Sequence, residues 1–109
     1  MLLILRWCGK IMNTVGLDWD NIMLQEARRR RQDIETQEKV STTLYKTLHG
    51  FHCVLLFNHP VSVEDNFQIR ERYWDDVNRL KISKLRYKTI GYGHDLLFHS
   101  KNKHWREKI

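Results

Sequence analysis

At 109 residues the chain has room for one domain with a single two-layer core. A hydrophobic share of 41% with 11% aromatic residues excludes an intrinsically disordered chain. The net charge of +6, with a pI near 9.6, disfavours a basic binding partner for the chain as a whole.

The charge is unevenly placed. Residues 79–109 carry nine Lys/Arg against Asp95 and Glu107, a surplus of +7, so residues 1–78 sum to −1. A basic C-terminal third suits a polyanionic partner, DNA or RNA, or else a tail that only confers solubility. Met1-Leu2-Leu3-Ile4-Leu5 is apolar, but Arg6 ends it far short of a signal-peptide core or a membrane span. The expectation is therefore a cytoplasmic protein with no membrane partner. Met12 offers an alternative start, which would make residues 1–11 an N-terminal extension. Cys8 and Cys53 suit a reducing compartment, with Cys53 inside an apolar run as a small hydrophobe.

The first predicted element is a strand over residues 13–20. Val15, Leu17 and Trp19 point one way, and Gly16, Asp18 and Asp20 the other. The pleat sets the two carboxylates on one face, roughly 6.6–7 Å apart along the backbone. Paired carboxylates of this kind hold divalent cations in phosphoryl-transfer sites. The plain alternative is a helix cap at Asp20 or Asn21.

Residues 21–39 read as a helix with a thin apolar stripe of Ile22, Met23, Ala27 and Ile34. Arg28-Arg29-Arg30-Arg31 fans over about 300° of that helix, so it makes no single basic patch. Acidic residues three or four positions away predict a salt-bridged, solvated face.

Two strands follow, over residues 40–48 and 51–58, with a tight turn at His49-Gly50. In the second, Phe51, Cys53, Leu55 and Phe57 form the apolar face, and His52, Val54, Leu56 and Asn58 the other. If the apolar faces of both strands share a core, then Asp18, Asp20 and His52 share the open face of one sheet. Zinc at His49, His52, His59 and Cys53 is disfavoured, because His52 and Cys53 face opposite sides of a strand.

Pro60 ends that strand, and Ser62 caps a second helix with Asp65 in the capping-box position. Its expected buried stripe is Val63, Phe67, Arg70 and Trp74, flanked by Ile69 and Tyr73. Asp75 to Arg79 reads as a polar turn, Leu80 to Arg86 as a short strand, and His94 to His99 as the last strand. Residues 101–109 read as a loose basic tail, leaving a single domain over residues 12–100. The fold class is α+β, a ferredoxin-like or RRM-like β-α-β-β-α-β two-layer sandwich with one open sheet face.

Three stretches together resemble the archaeo-eukaryotic primase and primase-polymerase superfamily. Val15-Gly16-Leu17-Asp18-Trp19-Asp20 resembles its acidic first motif. Lys46-Thr47-Leu48-His49-Gly50-Phe51-His52 resembles its hydroxyl-x-His motif. Residues 75–86 resemble the stretch that carries its third acidic residue, although Ser83 stands where that acid belongs.

The resemblance implies a small virus- or plasmid-type replication protein, placed in the host cytoplasm if viral. By this resemblance Asp18 and Asp20 hold Mg²⁺ or Mn²⁺, and His52 joins them as a catalytic residue that contacts the phosphates of a nucleoside triphosphate. Lys46, Thr47, His49, Lys84 and Arg86 become nucleotide or nucleic-acid contacts.

The alternative of the same fold is a catalytically inactive nucleic-acid-binding module, or a homodimer joined by paired edge strands. A rolling-circle-type replication nuclease ranks third. Tyr87 or Tyr92 would supply its nucleophile, but His49 and His52 lack the spacing of a paired-histidine strand.

Overall fold

The computed structural model describes residues 13–96 and 106–109. The expected extension over residues 1–11, Met12, Cys8 and His99 lie outside the described residues. The elements are β1 (Thr14–Asp20), α1 (Leu24–Glu38), β2 (Ser41–Thr47), β3 (Gly50–Leu56), α2 (Val63–Arg72), α3 (Val77–Ile90) and β4 (Arg106–Lys108).

The chain is an α+β sandwich with a four-stranded sheet of order β1-β3-β2-β4, all neighbours antiparallel. β1 and β2 run parallel with β3 between them, which is the split β-α-β unit of ferredoxin-like folds. The sheet's helix-side face carries Val15, Leu17 and Trp19 of β1, Leu44 of β2, and Phe51, Cys53 and Leu55 of β3. Ala27 and Ile34 of α1, and Ile69 and Tyr73 beside α2, close that core. Burial pushes the Cys53 thiol up to about 12, so it behaves as an apolar core group.

Gly50 explains how tightly β1 and β3 meet. It pairs with Asp20, and a Cβ built on it would lie 1.9 Å from the Trp19 carbonyl oxygen. Only glycine admits that approach. The turn between β2 and β3 is pinned by Thr47, whose Oγ1 accepts from Gly50 N at 3.0 Å.

Three of the four arginines of the run are engaged within the molecule. Arg29 bonds Glu26 and Asp33, Arg30 bonds Glu26, and Arg31 bonds Thr42. Arg30 also lies over the rings of Trp19 and Trp74, 5.4 and 4.8 Å from their centroids.

The second half departs from the sequence expectation. Ser62 does cap α2, its Oγ accepting from Asp65 N at 3.1 Å. The buried residues of α2 are Asn66, Ile69 and Arg70, whereas Trp74 is exposed. Leu80 to Arg86 is helical, not a strand. Asp76 is the N-cap of α3, its Oδ1 accepting from Arg79 N at 2.8 Å, and Gly91 ends the helix at φ 79°. Leu80 and Ser83 are its buried positions, three apart as a helix requires.

Residues 94–96 form no strand, and residues 97–99 of that expected strand lie outside the described residues. The final strand is Arg106–Lys108, from the stretch expected as a loose tail, and it pairs with β2. The reason lies on the outer edge of β1, where the backbone groups of Gly16 and Asp18 are already matched. Gly16 N donates to Asp95 Oδ2 and Asp18 N to Asp75 Oδ1, at 2.9 and 2.8 Å. Gly16 O accepts from Arg79 Nη1 and Asp18 O from Asp76 N, at 2.9 and 3.1 Å. Side chains and the α2–α3 junction thus occupy the place where another strand would pair.

Candidate functional site

Asp18 and Asp20 stand on the face of β1 opposite the core, two residues apart on one pleat. His52 is the register partner of Asp18 on β3. Direct cross-strand partners share a face, so the antiparallel register brings the three together. His52 Nε2 lies 3.6 Å from Asp18 Oδ1, an ion-pair distance longer than a hydrogen bond. The His52 side chain is 6% exposed and the Asp18 side chain 23%, so the pair is largely shielded from water.

The wall facing these residues is α3. Its residues Arg79, Ile82, Ser83 and Arg86 follow the i, i+3, i+4, i+7 spacing of one helical stripe. That stripe, with Asp76 and Asn78 at the helix start and Leu96 on the following loop, completes a cavity of about 320 Å³ over Asp18, Asp20 and His52. The volume is at the small end of ligand pockets.

The electrostatics are unusual for exposed carboxylates. Burial pushes the Asp18 carboxyl from 3.8 up to about 7, with repulsion from Asp20 adding to it and Arg79 opposing. Burial also raises Asp20, followed by repulsion from Asp76; a hydrogen bond with Asp18 and the nearby His49 pull it back. A proton or a cation between the carboxylates relieves that repulsion.

A buried network holds this arrangement from behind. Asp75 Oδ2 accepts from Arg70 Nε at 2.8 Å, and both side chains are fully buried. Arg79 Nη1 bonds both Asp75 oxygens, its Nη2 bonds Asp95, and its Nε bonds Leu96 O. Arg79 is therefore committed to the scaffold. Arg86 places Nη1 on Gly93 O at 3.2 Å and has four further N–H donors, so it is the cavity's better-supplied cation.

The expected contacts divide. Arg86 lines the cavity, and His49 lies near Asp20 while its carbonyl accepts from Asn21 N at 2.9 Å. Lys46 sits on the helix-side face, over the Phe51 ring, with Nζ donating to Thr47 O at 2.7 Å. Thr47 is buried in the turn. Lys84 points to Glu71, 3.7 Å away, and lies outside the cavity lining.

Ser83 does line the cavity, but its Oγ accepts from Arg70 Nη2 at 2.8 Å. The third carboxylate in the lining is Asp76. Asp76 and Arg79, expected in a polar turn, and Ile82, expected in a short strand, were not among the expected site residues. The signal for all three was the cap at Asp76 followed by fourteen residues without Gly or Pro, ending at Gly91.

The donor set bears on the expected metal. Among the described residues no group of three or more His, Cys, Asp or Glu side chains is arranged to hold a metal ion. Asp18 and Asp20 nevertheless fit a hard cation of the Mg²⁺ type. Such ions are commonly bound by one or two carboxylates, with substrate phosphates and water completing the shell. The site fits a cation that arrives with a phosphate ligand rather than one caged by protein alone. Comparison with protein-family models, with curated proteins and with solved structures finds no match to this chain.

Proposed function

We propose that this cavity is a metal-dependent nucleoside triphosphate site of the primase-polymerase kind, acting in nucleic-acid replication on DNA or RNA. The observation that carries the reading is the convergence of Asp18, Asp20 and His52 with Asp76 and Arg86 around one cavity. Acidic side chains at one wall and an arginine at the other suit a cation–polyphosphate ligand, which carries both signs of charge.

In nucleotidyl transfer a sugar hydroxyl oxygen bonds to the α-phosphorus. The bond from that phosphorus to the bridging oxygen breaks, and pyrophosphate leaves. Asp18 and Asp20 would hold Mg²⁺ or Mn²⁺, and the metal would supply neutralisation of the phosphate charge. The hydroxyl proton is released to water. His52 faces the phosphates beside it, and Arg86 contributes a bidentate phosphate contact from α3.

A second reading, nucleotide or nucleic-acid binding without synthesis, is favoured by the lack of a three-ligand metal group among the described residues. A primer-extension assay with Mn²⁺ or Mg²⁺, run beside nucleotide titration calorimetry, separates the two. The expected result is extension by the wild type and its loss, by about two orders of magnitude or more, in Asp18→Asn. Binding without extension selects the second reading. Wild-type protein that binds no nucleotide with either metal refutes both.

A further inference from the structure

The cavity lining is not wholly polar. Asp18, Asp20 and Asp76 form its acidic wall, but two large aliphatic side chains also line it: Ile82 on α3 and Leu96 on the loop after it. Both are open to water, Ile82 at 55% and Leu96 at 49%. Their positions are not explained by the core, which lies on the other face of the sheet. Ile82 is also one turn from Arg86 and three residues from Arg79, so the apolar surface is flanked by guanidinium groups along one helical stripe.

We propose that Ile82 and Leu96 form a shelf for the heterocyclic base of the bound nucleotide, and that this shelf makes the site prefer nucleotides to bare polyphosphates. The inference rests on the nucleotide reading of the cavity and specifies how the non-phosphate part of that ligand is held.

The chemistry is complementary. A cation–polyphosphate group is matched by the carboxylate wall and Arg86, and has nothing to gain from an aliphatic surface. A planar base is apolar on both faces and removes Ile and Leu side chains from water when it lies on them. Half-exposed Ile82 and Leu96 have about half of their side-chain burial still to gain. Covering that surface corresponds to about a tenfold gain in affinity or more. Because both side chains are already exposed, truncating them removes little packing from the folded chain.

The test is titration calorimetry of the full chain at fixed Mn²⁺, with ATP and with inorganic tripolyphosphate as alternative ligands. Two proteins are compared, the wild type and the double variant Ile82→Ser, Leu96→Ser. A urea titration of each checks the fold. The wild type is expected to bind ATP about tenfold more tightly than tripolyphosphate. The double variant is expected to lose that preference while its tripolyphosphate affinity stays unchanged. A further variant, Leu96→Phe, enlarges the shelf and is expected to tighten ATP alone.

Equal affinity of the wild type for the two ligands overturns the shelf but leaves the phosphate site standing. Equal weakening of both ligands in the double variant also overturns it. If neither ligand binds the wild type, the nucleotide reading itself fails and the shelf falls with it.

Discussion

Asp75→Asn tests the network behind the site more sharply than any change within it. The side chains of Asp75 and Arg70 are both 0% exposed. Asp75 accepts from Asp18 N at 2.8 Å, Arg70 Nε at 2.8 Å and Arg79 Nη1 at 2.9 and 3.0 Å. An amide of the same shape removes the negative charge and turns an NH₂ group toward a guanidinium. Arg70 would then keep only neutral partners, Asn66, Ser83 and the His94 carbonyl. Breaking a buried ion pair by removing one partner costs about 3–5 kcal/mol, mostly because the other charge is left uncompensated. For a small domain with about 5–15 kcal/mol of total stability, that is a large fraction. With a urea slope of about 1–3 kcal/mol per molar, the midpoint should fall by about 2 M. Trp19, 1% exposed in the core, supplies the fluorescence signal. Arg29→Ala is the control: it breaks the exposed pairs with Glu26 and Asp33 and should leave the midpoint nearly unmoved. A loss below about 1 kcal/mol in Asp75→Asn would refute the claim that this charge network holds the edge of β1.

Two further outcomes follow from the same geometry. Gly50→Ala places a Cβ 1.9 Å from the Trp19 carbonyl oxygen, so the β1–β3 pair must separate; a loss of about 3 kcal/mol or more in a urea titration is expected, and a wild-type midpoint would contradict the close approach. Asp18 gives a pH dependence of definite sign. Its folded-state carboxyl, pushed up to about 7 from 3.8, holds a proton that the unfolded chain releases. Its contribution is therefore fully present below about pH 4 and is lost as pH rises through about 7. Urea midpoints at about pH 5 and about pH 8 should converge in Asp18→Asn, and Mg²⁺ with a nucleotide should protect the wild type more at the higher pH. A wild-type midpoint that does not fall over that range, relative to Asp18→Asn, would count against the burial of Asp18.

The legible part of the site was the part governed by a strand's period of two. Val15, Leu17 and Trp19 fix which face of β1 is buried, and Phe51, Cys53 and Leu55 do so for β3; the faces of Asp18, Asp20 and His52 then follow without further information. Arg29, Arg30 and Arg31 of the arginine run were also legible, since acidic neighbours at helical spacing pair with them. What could not be read was α3. It buries Ser83 and leaves Val77, Ile82 and Leu85 exposed, so its apolar pattern does not mark its buried face. Its contacts include the charged groups Arg70, Asp75 and Asp95, and no hydrophobic periodicity reports a charge network. Lys46 and Lys84 resembled phosphate contacts by motif position alone, and their faces of β2 and α3 point elsewhere. The placement of β4 was hidden for a related reason. It depends on Asp75, Asp76, Arg79 and Asp95 closing the outer edge of β1, contacts that span 57 to 79 positions of sequence in the case of Asp75 and Asp95.

The way β1's edge is closed also explains why a cavity exists there. A further strand beside β1 would satisfy Gly16 and Asp18 with backbone alone and would bring alternating side chains to the open face. Closure by the α2–α3 junction instead stands a helix against the edge, and its Arg79–Ile82–Ser83–Arg86 stripe becomes a wall. Asp18 is then held on both sides of its own residue, through N–H to Asp75 and through C=O to Asp76. Asp76 belongs to the cavity and Asp75 to the buried network, so the backbone that aims the Asp18 carboxyl is continuous with the most deeply buried charges in the fold. Fixing reactive groups in this way needs supporting side chains whose own positions are over-determined. Arg70, with bonds to Asp75, Asn66, Ser83 and the His94 carbonyl, meets that condition. Burial disfavours its charged form, and a well-packed apolar cluster would serve stability at least as well. The network is better understood through what it positions: two carboxylates and a histidine facing an arginine across a space the size of a small ligand.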